Sequence, residues 1–308
     1  MKTFNMTKNR WKYTLIPALI IIVGIIFYAI HGGFNFDVEF MGGIRMQVAM
    51  HQNFNNEDVA KLIQEKTGVT CTIQRSGDGT QAIIKTPPIE EEKKTEIFNA
   101  LKAEYNLTEE APMSVSSSSA SFGREIQQKA FLYTLLAIIC ILIYIAIRFE
   151  WRSAIMAVIA LAINILVMLS VYSITYIPIN TTFIAAMLTV VGYSINNTIV
   201  IFDRIRENMK GIKGKKGVTI TETVDRSVME SLGRTINSTI TTLITIVLLY
   251  ILGVSAIREF ALPLIIGIFI GAYTSIFIAS TFWSAWKESE AKAKLEARAA
   301  ASSKKKTK

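Results

Sequence analysis

Residues 181–202 read TTFIAAMLTVVGYSINNTIVIF, and this run of 22 residues contains no charged side chain. A helix needs roughly 20 predominantly apolar residues to cross a bilayer, so the run predicts a membrane-spanning helix. Its two adjacent amides, Asn196 and Asn197, are unusual in that setting because polar groups are costly at membrane depth. The segment therefore indicates the fold class and also supplies a first candidate for a functional site.

Five further apolar runs of spanning length lie near 13–30, 130–147, 153–174, 236–253 and 260–283. They account for a hydrophobic fraction of 51% in a chain of 308 residues, with the charged residues gathered between them. The first run is too long for the apolar part of a signal peptide and lacks a small-x-small cleavage site, so we interpret it as an uncleaved signal anchor. The chain is predicted to be an α-helical polytopic membrane protein with six transmembrane helices.

Lys and Arg residues cluster in alternate connections. The N-terminus 1–12, the turn at 148–152, the loop and helix at 203–235 and the basic tail 287–308 are rich in them, whereas the connections at 175–180 and 254–259 contain only Arg258. Because basic short loops stay in the cytoplasm, this alternation predicts that both termini are cytoplasmic and that residues 31–129 are extracytoplasmic. The net charge of +9 lies beside the apolar runs without aromatic interleaving, which indicates membrane orientation and not binding of nucleic acid.

The segment between the first and second spans has a pattern of its own. Strand-like stretches at 43–50, 69–74, 81–85 and 113–116 and helical periodicity at 56–67 and 90–105 give the order βαββαβ. That order is typical of a ferredoxin-like α+β domain. The domain contains no His/Cys ligand cluster, no phosphate-binding glycine loop and no nucleophile with a base. We therefore expect no enzyme activity, no metal and no cofactor. A five-helix membrane region then covers 130–286.

Polar residues recur within three of the spans. In the fourth span Thr189, Tyr193 and the two amides are predicted to share one face, the fifth opens with a polar stripe, and the third carries an amide near its centre. Such residues either join helices through hydrogen bonds or line a transport path. The candidates for an ion path are Asn164, Asn196, Asn197, Asp203, Arg234 and Asn237.

Two patterns mark the cytoplasmic ends of the fourth and fifth spans. The fourth closes on DRIRE at 203–207, whose alternating charges suit either interfacial anchoring or a salt-bridged helix extension. Thr219 and Glu222 form a capping-box pattern, which predicts a short amphipathic cytoplasmic helix before the fifth span.

The sixth span carries small residues at four-residue intervals, namely Gly267, Gly271, Ser275 and Ala279. This ridge predicts close helix packing, either against the fifth span or against a partner subunit. The tail from Ala291 is basic and of low complexity, so we expect it to be disordered.

Four segments resemble the SecF family of the resistance-nodulation-division superfamily, in matching order on the predicted topology. They lie at 36–43, 144–152, 192–208 and 231–239, and the third is the most specific. Their motif residues outside the ion-path candidates are Glu39, Gly42, Gly43, Gly192, Tyr193, Arg204, Arg206 and Glu207. The resemblance covers nearly the whole chain.

The resemblance implies a subunit of the Sec protein translocase in the bacterial cytoplasmic membrane. It implies SecD, the SecYEG channel and YajC as partners, and a translocating unfolded polypeptide as the molecule acted on. The family uses the proton or sodium gradient to promote late steps of protein export. The resemblance also implies that Arg234 and the polar residues of the fourth span belong to the ion path.

The chain departs from the family pattern within two spans. Asn197 stands where the family has an Asp, and Ile163 and Asn164 align with a His-Asp pair. An amide cannot take up and release a proton near neutral pH, so the aspartates of SecD would carry the proton or the ion would be sodium. Two other interpretations remain open. One is a structural or assembly subunit without its own ion coupling, and the other is half of a small-molecule exporter of the same superfamily.

Overall fold

The computed structural model describes residues 6–76, 79–108, 110–148, 150–211 and 219–306. Six helices in these ranges are long and apolar enough to cross a membrane, which confirms the predicted fold class. In chain order the helices are α1 (Arg10–Ile30), α2 (Val38–Met41), α3 (Asn56–Thr67), α4 (Glu91–Tyr105), α5 (Ala120–Arg148), α6 (Trp151–Thr175), α7 (Thr181–Gly211), α8 (Ile220–Leu252), α9 (Ser255–Thr274) and α10 (Ser280–Lys306). The spans are α1, α5, α6, α7, α8 and the unit formed by α9 and α10, which a π-helical turn at Ser275–Ala279 joins.

Helices α7 and α8 are longer than the predicted spans. They contain 31 and 33 residues, and at about 1.5 Å per residue they extend for about 46 and 50 Å. The hydrocarbon core of a bilayer is only about 30 Å thick, so both helices continue beyond it. The predicted separate helix before the fifth span is wrong, because that segment is the first part of α8. Its capping box is confirmed, with Thr219 and Glu222 bonded reciprocally.

The C-terminal segment also differs from expectation. The tail from Ala291 was expected to be disordered, but α10 continues as a helix to Lys306. Near its start α10 is fastened to the beginning of α6, because Lys287 pairs with Glu150 at 2.7 Å and Arg152 with Glu290 at 2.7 Å. The tail is therefore part of a continuous helix that carries ion pairs, and its composition alone does not reveal these contacts.

The domain between α1 and α5 is a four-stranded sheet with two main helices. The strands are β1 (Gly43–Ala49), β2 (Thr72–Ser76), β3 (Gln81–Thr86) and β4 (Ser114–Ser118), and their order in the sheet is β2-β3-β1-β4. All three pairings are antiparallel, which confirms the predicted ferredoxin-like arrangement. The connection between β2 and β3 lies partly outside the described residues.

The core of this domain lies between the sheet and helices α3 and α4. Val59 and Ile63 of α3 and Ile97 and Leu101 of α4 are fully buried against strand residues such as Ile84. These helical residues recur at the three-to-four residue spacing that places them on one face. The domain therefore has its own apolar core outside the membrane region.

In the membrane region α9 packs against α6, α7 and α8, while α1 and α5 are peripheral. The small-residue ridge faces α7 and α6. The prediction that it faces the fifth span or a partner subunit is therefore wrong. A Cβ atom on Gly267 would lie 2.5 Å from Val190 Cγ2, and one on Gly271 would lie 2.1 Å from Ser194 Oγ. The ridge is therefore used within the chain, where it allows the central helices to approach closely.

Candidate functional site in the membrane region

A buried polar cluster lies where α6, α7 and α9 meet. Asn164 of α6 donates from Nδ2 to Ser194 Oγ of α7 at 2.7 Å, beside Gly271 of α9. One turn further along, the hydroxyls of Thr198 and Ser275 are 2.8 Å apart. All four polar side chains are at most 2% exposed, so the cluster is a feature of the protein interior.

The π-helical turn begins within this cluster. Ser275, its first residue, also approaches the Ser194 carbonyl oxygen at 3.4 Å. A π turn shifts the register of a helix, and such turns occur frequently at functional sites. Here it directs a hydroxyl of the sixth span towards α7. Sequence reasoning placed Ser275 in the packing ridge and did not identify its role in a polar contact.

Two amide atoms in this interior have no hydrogen-bond partner among the described residues, namely Asn164 Oδ1 and Asn197 Nδ2. Asn197 is 2% exposed and lies on the buried side of α7. Unpaired buried polar atoms are costly, so they tend to be kept for a reason or satisfied by water. Both Asn164 and Asn197 are therefore buried, and no hydrogen bond between them is found among the described residues.

The other ion-path candidates lie on the outside of the membrane region. Asn196, Asp203, Arg234 and Asn237 are exposed. The prediction that Asn196 and Asn197 share a face is therefore wrong, since successive residues of a helix are about 100° apart. The candidates for a single path therefore lie in two places. Asn164 and Asn197 are in the interior, and the other four are on the surface.

The exposed group lies along the line where α7 and α8 contact each other. Tyr193 Oη donates to the Ser238 carbonyl oxygen at 3.1 Å and to Thr242 Oγ1 at 3.2 Å. Arg234 is one turn before Ser238 on the same helical stripe, and its side chain forms no ion pair with another described residue. We call this group the polar face: Thr189, Gly192 and Asn196 of α7 with Arg234, Asn237, Thr241 and Thr245 of α8.

An ionic cluster joins α7 and α8 beyond the polar face. Arg204 contacts Glu207 at 2.6 Å and Glu230 at 2.7 Å, and Glu230 also pairs with Arg226 at 2.8 Å. Asn208 adds a bond to Glu230 at 2.8 Å. The charged motif at 203–207 therefore forms a salt-bridged helix extension, one of the two arrangements predicted for it.

Arg206 connects the same end of α7 to another helix. Its Nη1 donates to the Arg148 carbonyl oxygen at 3.2 Å, at the end of α5. Gly192, by contrast, has no atom within 4 Å of the position that a Cβ would take. Arg204 and Arg206 thus join α7 to α8 and to α5, and Glu207 pairs with Arg204 within α7. Gly192 leaves an open surface on the polar face.

The motif before the domain is explained by backbone geometry and capping. Gly42 has φ 81° and Gly43 has φ 145°, values that side chains with a Cβ rarely adopt. A Cβ on Gly43 would also lie 2.3 Å from the Thr86 carbonyl oxygen. Glu39 Oε2 accepts from Thr181 N at 3.0 Å and from Thr181 Oγ1 at 2.6 Å, so it caps the start of α7.

These features define a class of protein, a multi-pass membrane protein with a ferredoxin-like domain between its first two spans. A family model described as protein export membrane protein SecD/SecF, C-terminal, matches residues 98–289. The chain belongs to the SecD/SecF family.

Individual relatives agree with this assignment. The protein translocase subunit SecF of Alicyclobacillus acidocaldarius is 35% identical over 283 residues, which cover 91% of this chain and 91% of that protein. The protein translocase subunit SecDF of Bacillus subtilis is 32% identical over 293 residues, which cover 94% of this chain but 39% of the relative. The chain therefore corresponds to nearly a whole SecF relative and to a little over a third of a SecDF relative.

A solved structure shows the same fold. The crystal structure of SecDF from Thermus thermophilus, described as a translocon-associated membrane protein, is 31% identical with a TM-score of 0.81. The match covers 92% of this chain and 38% of that chain. Similarity over six spans and the domain together supports the architecture described above.

Proposed function

We propose that the chain is the SecF-type subunit of a protein-export complex. It acts with a SecD partner beside the SecYEG channel and YajC, and uses the ion gradient across the bacterial cytoplasmic membrane to promote late steps of export of unfolded polypeptide. Its termini lie in the cytoplasm and its ferredoxin-like domain outside. The observation that carries this proposal is the polar face of α7 and α8.

A polar face at membrane depth requires a partner. An Arg at the centre of a membrane helix costs about 2.5–3.5 kcal/mol on translocon scales, and exposed amides and hydroxyls add to that cost. Arg234 lies on the stripe that contains Glu230, Ser238 and Thr242, all of which contact α7. Helices α7 and α8 run antiparallel, and their contacts Tyr193–Ser238 and Arg204–Glu230 lie on either side of Arg234. Arg234 is therefore level with the part of α7 between Asn196 and Asp203. A second membrane protein that covers this face would shield these groups from lipid.

The SecDF relatives suggest which protein covers the face. In them the region similar to this chain occupies about two fifths of a longer chain. Their printed name joins SecD with SecF, so a SecD part is the neighbour that the family provides. We propose that the polar face contacts SecD and that the ion crosses at this interface.

The two interior amides affect which ion could be coupled to export. Asn164 and Asn197 hold hydrogen atoms that do not dissociate near neutral pH, so they supply no proton-transfer group. A carboxylate of SecD facing Arg234 would then exchange the proton, or a sodium ion would take its place. The role left to this chain is to supply the cation Arg234 and the polar surface around it.

The proposal is tested by replacing Arg234 with Met in cells that carry the variant as their sole copy. We expect several-fold slower maturation of a secreted precursor at an unchanged membrane level, because the variant removes the charge while keeping the apolar stem. Arg226→Met is the matched control, since Arg226 lies on the same helix in an exposed ion pair with Glu230. Equal export in the Arg234 variant and the control would contradict the ion-path role.

A second candidate function is favoured by the two interior amides. If the chain only assembles SecD with the channel, it needs no titratable group of its own, as observed at Asn164 and Asn197. Arg234→Met would then reduce recovery of SecD with the affinity-purified chain to the same extent as it reduces export. Under the first proposal SecD recovery is retained while export falls.

A further inference from the structure

Glu259 near the start of α9 joins three parts of the structure. Arg45 of β1 donates from Nη2 to Glu259 Oε1 at 2.8 Å, and Asn180 donates from Nδ2 to Glu259 Oε2 at 2.7 Å. Both carboxylate oxygens are therefore used, one by the ferredoxin-like domain and one by the residue before α7. We call Arg45, Asn180 and Glu259 the domain clamp.

The clamp continues into the start of α7. Asn180 Oδ1 accepts from Phe183 N at 2.9 Å, so the residue that bonds Glu259 also caps this helix. Glu39 caps the same helix through Thr181, as described above. The first N–H groups of a helix have no partners within it, so these side chains satisfy groups that would otherwise remain unpaired.

The segment before the domain is fastened to the same place. Asp37 N donates to the Ile179 carbonyl oxygen at 2.9 Å, and Ile179 N donates to the Asn35 carbonyl oxygen at 2.7 Å. The Asp37 carboxylate forms a buried ion pair with Lys85 of β3. Backbone, capping and ionic contacts thus connect the sheet to the first turns of α7 and α9.

The connection to α1 is different. Gly32 has φ 72° and Gly33 has φ 139°, and neither has an atom within 4 Å of the position that a Cβ would take. The side facing α7 and α9, by contrast, is held by at least three polar side chains, Glu39, Asn180 and Glu259. Because of these contacts, the domain and the starts of α7 and α9 form one connected unit.

We infer that the domain clamp keeps the ferredoxin-like domain on the first turns of α7 and α9 throughout the working cycle. Glu259 is then a positioning residue. A force on the domain reaches the two helices that carry Ser194, Asn197 and Gly271, without separation of the domain from the membrane region. The inference rests on the proposed function, because the cycle in question is that of protein export.

Spin-label distances test the clamp without reference to export. Labels at Lys61 of the domain and Val254 before α9 are placed on exposed residues, after Cys71 and Cys140 are replaced by Ser. We expect a narrow distance distribution in the native chain with its partner in membranes, and one at least twice as broad in Glu259→Ala and Arg45→Ala. Arg45→Lys keeps the cation and should remain narrow. The control Lys93→Ala breaks an exposed ion pair within the domain and should change nothing.

Export by a protein whose domain is covalently joined to α9 tests whether the domain must separate from the membrane region during export. Arg45→Cys with Glu259→Cys, joined by a short bismaleimide, should export within twofold of the same chain without the variants. The unjoined double variant should export several-fold more slowly. A native distribution as broad as that of Glu259→Ala would overturn the inference, as would loss of export on cross-linking. If deletion of the whole chain left export unchanged, the proposed function would fail, and the spin-label comparison alone would decide on the clamp.

Discussion

Asn196 and Asn197 are neighbours in the chain, but Asn196 is exposed and Asn197 is buried. Asn196 belongs to the polar face shared by α7 and α8. Asn197 lies on the same buried side of α7 as Ser194, which bonds to Asn164 of α6. Two identical side chains one residue apart therefore have different environments and should respond differently to the same substitution.

The two amides are compared by single Ala substitutions. Asn164→Ala should lower stability by about 0.6 kcal/mol, the mean for interhelical hydrogen bonds in membranes, because it removes the bond to Ser194 Oγ, and Asn197→Ala should lower it through lost packing. Export should fall mildly and equally across external pH. Asn196→Ala should leave both the thermal unfolding midpoint and the co-purification of SecD unchanged, because Asn196 is exposed. A severe, pH-dependent export defect in Asn197→Ala at a normal membrane level would contradict this assignment.

The glycine ridge gives a prediction with an internal control. Gly271→Ala places a Cβ 2.1 Å from Ser194 Oγ and 3.0 Å from Ser194 Cβ, so Ser194 must change its rotamer or α9 and α7 must move apart. Overpacking of this kind costs about 1–3 kcal/mol. Gly192→Ala adds the same methyl group to α7 where no atom lies within 4 Å, and should stabilise slightly or have no effect. Thermal unfolding in detergent, followed by tryptophan fluorescence, measures both. Similar midpoints for the two variants would show that the close approach at Gly271 is not required.

The buried ion pair between Asp37 and Lys85 should matter more than a surface pair. Removing one partner leaves an uncompensated charge in the interior, which typically costs about 3–5 kcal/mol. Both side chains are at most 9% exposed. Lys85→Met should therefore lower the unfolding midpoint strongly, and Asp37→Asn in the same chain should recover part of the loss.

The comparison for that pair is Lys93→Met, which breaks the exposed pair with Glu96 in the same domain. Exposed pairs contribute at most about 1 kcal/mol, so we expect little change in the midpoint. If Lys85→Met and Lys93→Met shift the midpoint equally, the Asp37–Lys85 pair does not carry the stability assigned to it.

Orientation is tested by labelling from outside intact cells. An introduced Lys61→Cys in the domain should react with an impermeant maleimide, whereas Ala293→Cys in α10 should react only after permeabilisation. Modification of position 293 but not 61 in intact cells would reverse the predicted topology. Both replacements fall on exposed residues, so access is governed by the membrane and not by burial.

The native Cys71 is a poor reporter for that experiment. Burial raises the pKa of its thiol from 9.0 to about 11. Because the thiolate is the reactive form, two units correspond to about 100-fold less of it near neutral pH. Cys71 should therefore label about 100-fold more slowly than an exposed cysteine and accelerate tenfold per pH unit up to about pH 11. A pH profile of labelling in Cys140→Ser cells measures this, and a rate that levels off near pH 9 would refute the burial effect.

The sequence by itself determined the elements and their order. Spanning length predicts six membrane helices, and strand alternation with helical periodicity predicts the βαββαβ domain, because both signals depend on residues near one another in the chain. The capping box of Thr219 and Glu222 is likewise local. The length of α8 could not be predicted from such patterns, since continuation of a helix past the membrane depends on what it packs against.

Only the tertiary structure decided which polar residues share a site. Periodicity indicates that a helix has a polar side but not which neighbour that side meets, so Asn164, Asn197 and Arg234 were expected on one path and lie in two places. The partners of Glu259 come from β1 and from the connection before α7, up to 214 residues away. Burial and ion pairing are sums over contacts distant in sequence, and therefore follow from the packing of the helices and not from local spacing.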